Sequence, residues 1–163
     1  THCLSSAASD VYKRQTTKGV TDELIDGDGI VSTGLMTRDE WEYCKTKSLE
    51  LFKFGQEVAA KNGMILVDTK YEFGKDLDGN SVLIDEVHTP DSSRYWVRHS
   101  YGSRFNQGME PENIDKDIIR KWIKREYSDP YSMTSFDVPD DLITTVSERY
   151  LQLSHIITGS RIH

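Results

Sequence analysis

Apolar residues recur at helical spacing through one long stretch of the chain. Trp41, Cys44, Ser48, Leu51, Phe52, Gly55, Val58 and Ala59 fall on one side of a 3.6-residue repeat. Thr37-Arg38-Asp39-Glu40 stands just before it as a capping box, in which hydroxyl and carboxylate satisfy the free amides of a helix start. Asn62-Gly63 supplies the stop. The pattern predicts an amphipathic helix of about seven turns packed on a core. The period then changes to two in MILVDTKYEF, where Asp68, Lys70 and Glu72 alternate with Ile65, Val67, Thr69, Tyr71 and Phe73. A strand here is expected to bury its odd-numbered face and to present Asp68, Lys70 and Glu72 on the other. GKDLDGNS carries turn residues and leads into SVLIDEV, so a β-hairpin follows. Ile118, Ile119, Trp122 and Ile123 fit a helix begun near Asp115. Leu142, Val146, Tyr150, Leu153 and Ile157 fit another, with Pro139 in its first turn and Gly159 past its end.

Helix, hairpin, loop, helix, helix is an α+β layout, an antiparallel hairpin or sheet packed with helices. Residues 16–36 are rich in Gly, Asp and Thr without periodicity and are expected to be a loop. THCLSSAASDVYKRQ, residues 1–15, has neither an initiator Met nor an apolar signal core, and it is expected to be a non-native leader. Residues 37–163 then form the folded part.

Composition narrows the function. The chain has 163 residues, 36% hydrophobic and 29% charged, enough for one domain with a real core. A formal net charge of -7 argues against nucleic acid as a partner while leaving room for a local basic cluster on a small anion. The longest aliphatic run, about four residues, is far below the roughly 20 of a membrane span. Cys3 and Cys44 cannot build a disulfide framework, and no Cys/His spacing suits zinc, which favours a cytoplasmic setting.

The candidate chemistry lies on the hairpin. A solvated sheet face would also present Asp68, Lys70 and Glu72. The partner strand, however, places Asp85 and Glu86 straight after Leu83-Ile84, within reach of Lys70 and Glu72. Carboxylates converging beside a lysine repel one another unless a cation or ligand offsets them. Mg²⁺ suits such a place, because it takes one or two carboxylates and leaves its other positions to water and phosphate oxygens. Asp85 and Glu86 point to opposite faces, and the pattern does not choose between them. Beyond them HTPDSSRYW combines strong turn chemistry with Arg94, a fork for a carboxylate or phosphate beside hydroxyls and amides that could seat an anion. A plain connecting loop with Arg94 in a surface ion pair is the alternative.

VDTKYEFG, LIDEV and TPDSSRYW, in this order and separation, resemble the central signature of the SAICAR synthetases, the phosphoribosylaminoimidazole-succinocarboxamide synthases of purine biosynthesis. The resemblance runs from about Gly34 to the C-terminus and takes in AAKNG, IDKDIIRKW and the closing tyrosine-containing helix. It implies an ATP-grasp-related fold, here as an incomplete, carboxy-terminal part that needs the family's amino-terminal half. It also implies an ATP- and Mg²⁺-dependent ligase that joins L-aspartate to 5-amino-1-(5-phosphoribosyl)imidazole-4-carboxylate through an acyl phosphate. By position, Lys70, Glu72 and Asp85 match the residues at the ATP phosphates, with Glu72 and Asp85 at the metal. Asp91, Ser93 and Arg94 match the loop that receives the imidazole nucleotide, and Lys116 and Arg120 a basic pair near the substrate acids. Asp68 could order Lys70 or approach the metal, and Thr17-Lys18 matches a Thr-Thr-Lys loop of longer members. A second function class stays open: a non-catalytic fragment with an anion-binding surface, acting through a partner or a fused domain.

Overall fold

The computed structural model describes residues 2–5, 11–13, 23–114, 117–130 and 135–160. Lys116, Thr17 and Lys18, and the expected helix start near Asp115, lie outside them. In chain order the elements are β1 (His2–Ser5), β2 (Val11–Lys13), β3 (Glu23–Ile25), α1 (Gly27–Ser32), α2 (Arg38–Lys61), β4 (Met64–Lys75), β5 (Ser81–Ile84), β6 (Ser93–Val97), α3 (Arg98–Asn106), α4 (Asp117–Glu126) and α5 (Asp140–Thr158). The sheet runs β3-β2-β1-β4-β5, and β6 also pairs with β4. All its ladders are antiparallel.

The long helix forms as its sequence predicts. Thr37 accepts the Glu40 amide at 3.2 Å and the Glu40 carboxylate accepts the Thr37 amide at 2.8 Å, so both halves of the capping box are made. Gly63 follows at φ 75°, a left-handed turn that a side chain would resist. Trp41, Cys44, Ser48, Gly55 and Ala59 are buried along one side of α2. Two apolar clusters meet there. One joins Trp41 and Cys44 to Ile30, Tyr71 and Phe73; the other joins Ala59 to Met64, Leu66, Tyr95, Val97 and Leu153. Burial pushes the Cys44 thiol up to about 11, so this cysteine acts as a small apolar side chain.

Segment 16–36 is not all loop: it holds β3 and α1. Asp26 caps α1 by accepting the Gly29 amide at 2.7 Å. A helix of six residues with glycines at 27 and 29 is too short to show a period. β1 and β2 lie within the stretch set aside as a leader, and β1 is paired with β4, His2 opposite Phe73 and Ser5 opposite Lys70.

β4 corrects the simple odd-and-even reading. Met64 and Leu66 are buried, as are Thr69, Tyr71 and Phe73, whereas Ile65 and Val67 are only half-buried. The cause is a bulge: Leu66 faces Tyr95 but Asp68 faces Arg94, so one extra residue shifts the parity of the strand. The odd face is core only after the bulge.

β5 and β6 follow each other along β4 in the same direction, β5 against residues 72–75 and β6 against residues 64–69. Residues 85–92 leave between them. A loop thus opens and closes opposite the middle of β4, where Asp68, Lys70 and Glu72 stand. β6 was not foreseen as a strand, because SRYWV is short and follows directly on turn residues.

Candidate functional site

The hairpin closes as its turn residues require. The Asp76 carboxylate accepts the Asn80 side-chain amide at 3.0 Å, the Asn80 backbone amide at 2.8 Å and the Asp78 backbone amide at 3.0 Å, and these bonds hold it below the usual carboxylate range. The tight turn fixes Glu72 opposite Ile84, so Asp85 enters the loop beside the charged face of β4.

Asp68, Lys70 and Glu72 do share a face. Lys70 Nζ lies 2.5 Å from Glu72 Oε1 and 3.8 Å from Asp85 Oδ2, and its ammonium stands between two carboxylates. Glu72 is buried, at 6% exposure, while Asp85 keeps almost half its side chain in solvent. A buried carboxylate without a partner would be costly, and Lys70 supplies one. Asp85 and Glu86 make different contacts. Asp85 has φ 66° and turns toward Lys70, whereas Glu86 accepts a hydrogen bond from the Thr89 hydroxyl.

Asp68 grips Arg94. Arg94 Nε donates to Asp68 Oδ1 at 2.9 Å and Nη2 donates to Oδ2, a bidentate pair across the bulged ladder. Half of the Arg94 side chain is exposed. The fork expected to be open is therefore held from one side. Its Nη1 edge faces away from Asp68.

Ser93 is buried, its hydroxyl 2.8 Å from that of Thr69 and 3.2 Å from that of Ser92. The Ser92 carbonyl accepts the Lys70 amide at 3.0 Å, which ties the turn to β4 beside the ammonium. These hydroxyls brace the turn. Asp91 is exposed and accepts from the Tyr150 hydroxyl at 3.2 Å, so α5 reaches the same loop. Arg120 sits on the exposed side of α4, which packs against α5.

Sequence reasoning missed the support behind the loop. Tyr71 Oη and His88 Nε2 share a hydrogen bond of 2.5 Å, and Tyr95 donates to the His88 carbonyl at 2.7 Å. Burial lowers the pKa of His88, raises that of Tyr71, and pushes Tyr95 up to about 12, so all three stay neutral near pH 7. A glycine at position 55, inside an otherwise good helix, was the available signal. Trp96 and Tyr101 stack on each other, 5.4 Å between centroids.

With this geometry in view, the likeness to known proteins can be placed. Residues 3–134 match the family model described as SAICAR synthetase. The chain belongs to the SAICAR synthetase family. A phosphoribosylaminoimidazole-succinocarboxamide synthase of Legionella pneumophila (strain Lens) is 47% identical over 152 residues, 93% of this chain and 48% of the relative. A chloroplastic synthase of Arabidopsis thaliana is 50% identical over 149 residues, 90% of this chain and 36% of its own length. The chain thus spans about half, or less, of the length of these SAICAR synthetase relatives. Among solved structures, SAICAR synthase from Saccharomyces cerevisiae complexed with SAICAR superposes with a TM-score of 0.68 at 27% identity, covering 86% of this chain and 44% of that one. A type-2 SAICAR synthetase in complex with ADP gives 0.65 at 27% identity, over 94% and 52%.

The donor set fits Mg²⁺. Among the described residues no three His, Cys, Asp or Glu side chains gather closely enough to hold a metal by themselves. Glu72 and Asp85 offer two carboxylates, the number Mg²⁺ takes when phosphate and water complete its shell. With Asp68 they set three negative charges against Lys70 and Arg94. The excess favours a cation.

Proposed function

We propose that this chain carries the phosphate-facing and nucleotide-facing part of an ATP-dependent ligase that joins L-aspartate to 5-amino-1-(5-phosphoribosyl)imidazole-4-carboxylate. The observation that carries the reading is the Lys70 ammonium set between Glu72 and Asp85 at the point where the 85–92 loop leaves β4. A carboxylate is a poor electrophile. ATP overcomes this when the substrate carboxylate oxygen takes its γ-phosphoryl group and ADP leaves; the aspartate amine then attacks the acyl carbon, loses its proton, and expels phosphate. Every reactant is an anion, so the protein contributes position and positive charge.

Lys70 lies against the triphosphate and exchanges part of its bond to the carboxylates for phosphoryl oxygens as charge moves onto the leaving group. Glu72 and Asp85 would hold Mg²⁺, which when bound neutralises charge at the phosphates. Arg94, kept in plane by Asp68, turns its Nη1 edge to the imidazole nucleotide, and Asp91 and Ser93 shape that seat. Arg120 and Lys116 serve the substrate acids. Residues beyond this chain, in the remaining length of the relatives, complete the adenine and substrate sites. A cytoplasmic reaction belongs to the same proposal, and no helix among the described residues is long and apolar enough to cross a membrane.

The test is a graft in which this chain replaces the matching span of the Legionella pneumophila synthase. ATP-, Mg²⁺- and aspartate-dependent product, with one ADP and one phosphate released per turnover, is expected. A folded graft that binds neither ATP nor the imidazole nucleotide overturns the proposal.

A further inference from the structure

Among the described residues, the only non-glycine positions with positive φ are Asp85 at 66° and His88 at 57°. Both lie in the loop that carries a carboxylate to Lys70. Such a backbone persists only where its surroundings fix it. On one side the loop has little behind it: Val87, His88 and Pro90, with Phe54, Leu153 and Ile157, line a cavity of about 380 Å³. Apolar packing on that side is incomplete.

Besides the Thr89–Glu86 bond, the His88 ring ties the loop to α2 and β4. The imidazole enters a notch in α2 where position 55 has no side chain; a methyl group added there would lie 2.4 Å from Cε1. Its Nε2 meets the Tyr71 hydroxyl, its ring stands edge-on to Tyr71 at 65°, and its carbonyl accepts from Tyr95. Tyr71 sits between Lys70 and Glu72 on β4, on the opposite face. One strand thus holds the charged pair on one side and the anchor of the loop on the other.

We propose that His88, seated against Gly55 and bonded to Tyr71, is a positioning residue that fixes the 85–89 loop so that Asp85 faces Lys70 and Glu72. The assignment rests on the reading that these groups receive Mg²⁺ and ATP phosphates. A loop that spends only a tenth of its time in the competent arrangement binds about tenfold more weakly.

The experiment titrates the graft of this chain into the Legionella pneumophila synthase with Mg²⁺·ATP, by calorimetry and by the amide shifts of residues 70–72. His88→Asn keeps a residue that tolerates positive φ but removes the ring. Gly55→Ala expels the ring, and Tyr71→Phe removes the hydroxyl while keeping its volume. Each is expected to weaken binding about five- to tenfold in the native background. In an Asp85→Asn background the anchor has no carboxylate left to place, so His88→Asn is expected to add less than about twofold. An equal loss in both backgrounds, with thermal midpoints showing the variants folded, makes His88 a merely structural residue and overturns the inference. So does unchanged binding in all three single variants while Asp85→Asn weakens it. If His88→Asn fails to fold, Tyr71→Phe in both backgrounds decides by the same criterion. Absent binding by the unsubstituted graft, or binding indifferent to Asp85→Asn, defeats the site reading itself and this inference with it.

Discussion

At the scale of single residues, the charged face of β4 was legible because side-chain direction in a strand has period two, and Lys70 and Glu72 meet as that rule requires. The selection of Asp85 over Glu86 was not legible. It depends on a positive φ in a loop, which an aspartate tolerates but which the local sequence does not announce. Arg94 shows a similar gap, since its partner, Asp68, is chosen by the ladder across the bulge. This pairing yields a prediction: Arg94→Lys in the grafted synthase raises the KM for the imidazole nucleotide about tenfold, because an ammonium cannot bind Asp68 in two places and still offer an edge. Steady-state kinetics measure it, and an unchanged KM removes Arg94 from the nucleotide seat.

Glu40 gives a second prediction at this scale. The Lys75 ammonium, then the Thr37 amide, hold its carboxyl at about 2 against an ordinary 4.5. A depressed carboxylate contributes stability above its unfolded value and loses it as the pH falls through the folded one. Urea unfolding of the native chain and Glu40→Gln should therefore differ at neutral pH and converge between about pH 4.5 and 2. A gap that persists at pH 2 contradicts the assignment.

At the scale of elements, α2 and the hairpin declared themselves through cap, period and turn chemistry; α2 and β4 formed within two residues of expectation, while β5 ends at Ile84, three residues before Val87. α1, β6 and α3 did not, because each is too short for its period to stand out from local turn residues. The bulge at Val67 has no signature in a strand whose both faces carry apolar residues. Its consequence can be measured. Leu66 is buried to 1% exposure beside Tyr95 and Leu153, and Leu66→Ala should cost about 2–5 kcal/mol. Val67→Ala should cost about 1 kcal/mol or less, since Val67 is half-exposed. Denaturant midpoints in the reverse order would restore an unbroken odd-numbered core.

At the scale of the molecule, the sheet, two clusters around α2 and the interrupted β5–β6 pairing bring a hairpin, a turn and α5 to the middle of β4. Family membership was legible from three ordered motifs, and the match over residues 3–134 bears it out. Nothing local to a motif could show how β1 lies along β4, because pairing between distant segments leaves little trace in either one. Since the chain spans 48% of its Legionella relative, activity is a property to be tested with that length restored. The central claim is that the face of Lys70, Glu72 and Asp85 receives phosphates and metal. Mg²⁺-dependent turnover of the grafted synthase with Glu72→Gln tests it most directly. A fall of at least about 100-fold, with the thermal midpoint within a few degrees of the unsubstituted graft, is the expected result. Turnover close to that of the unsubstituted graft would contradict it and take Glu72 out of the site.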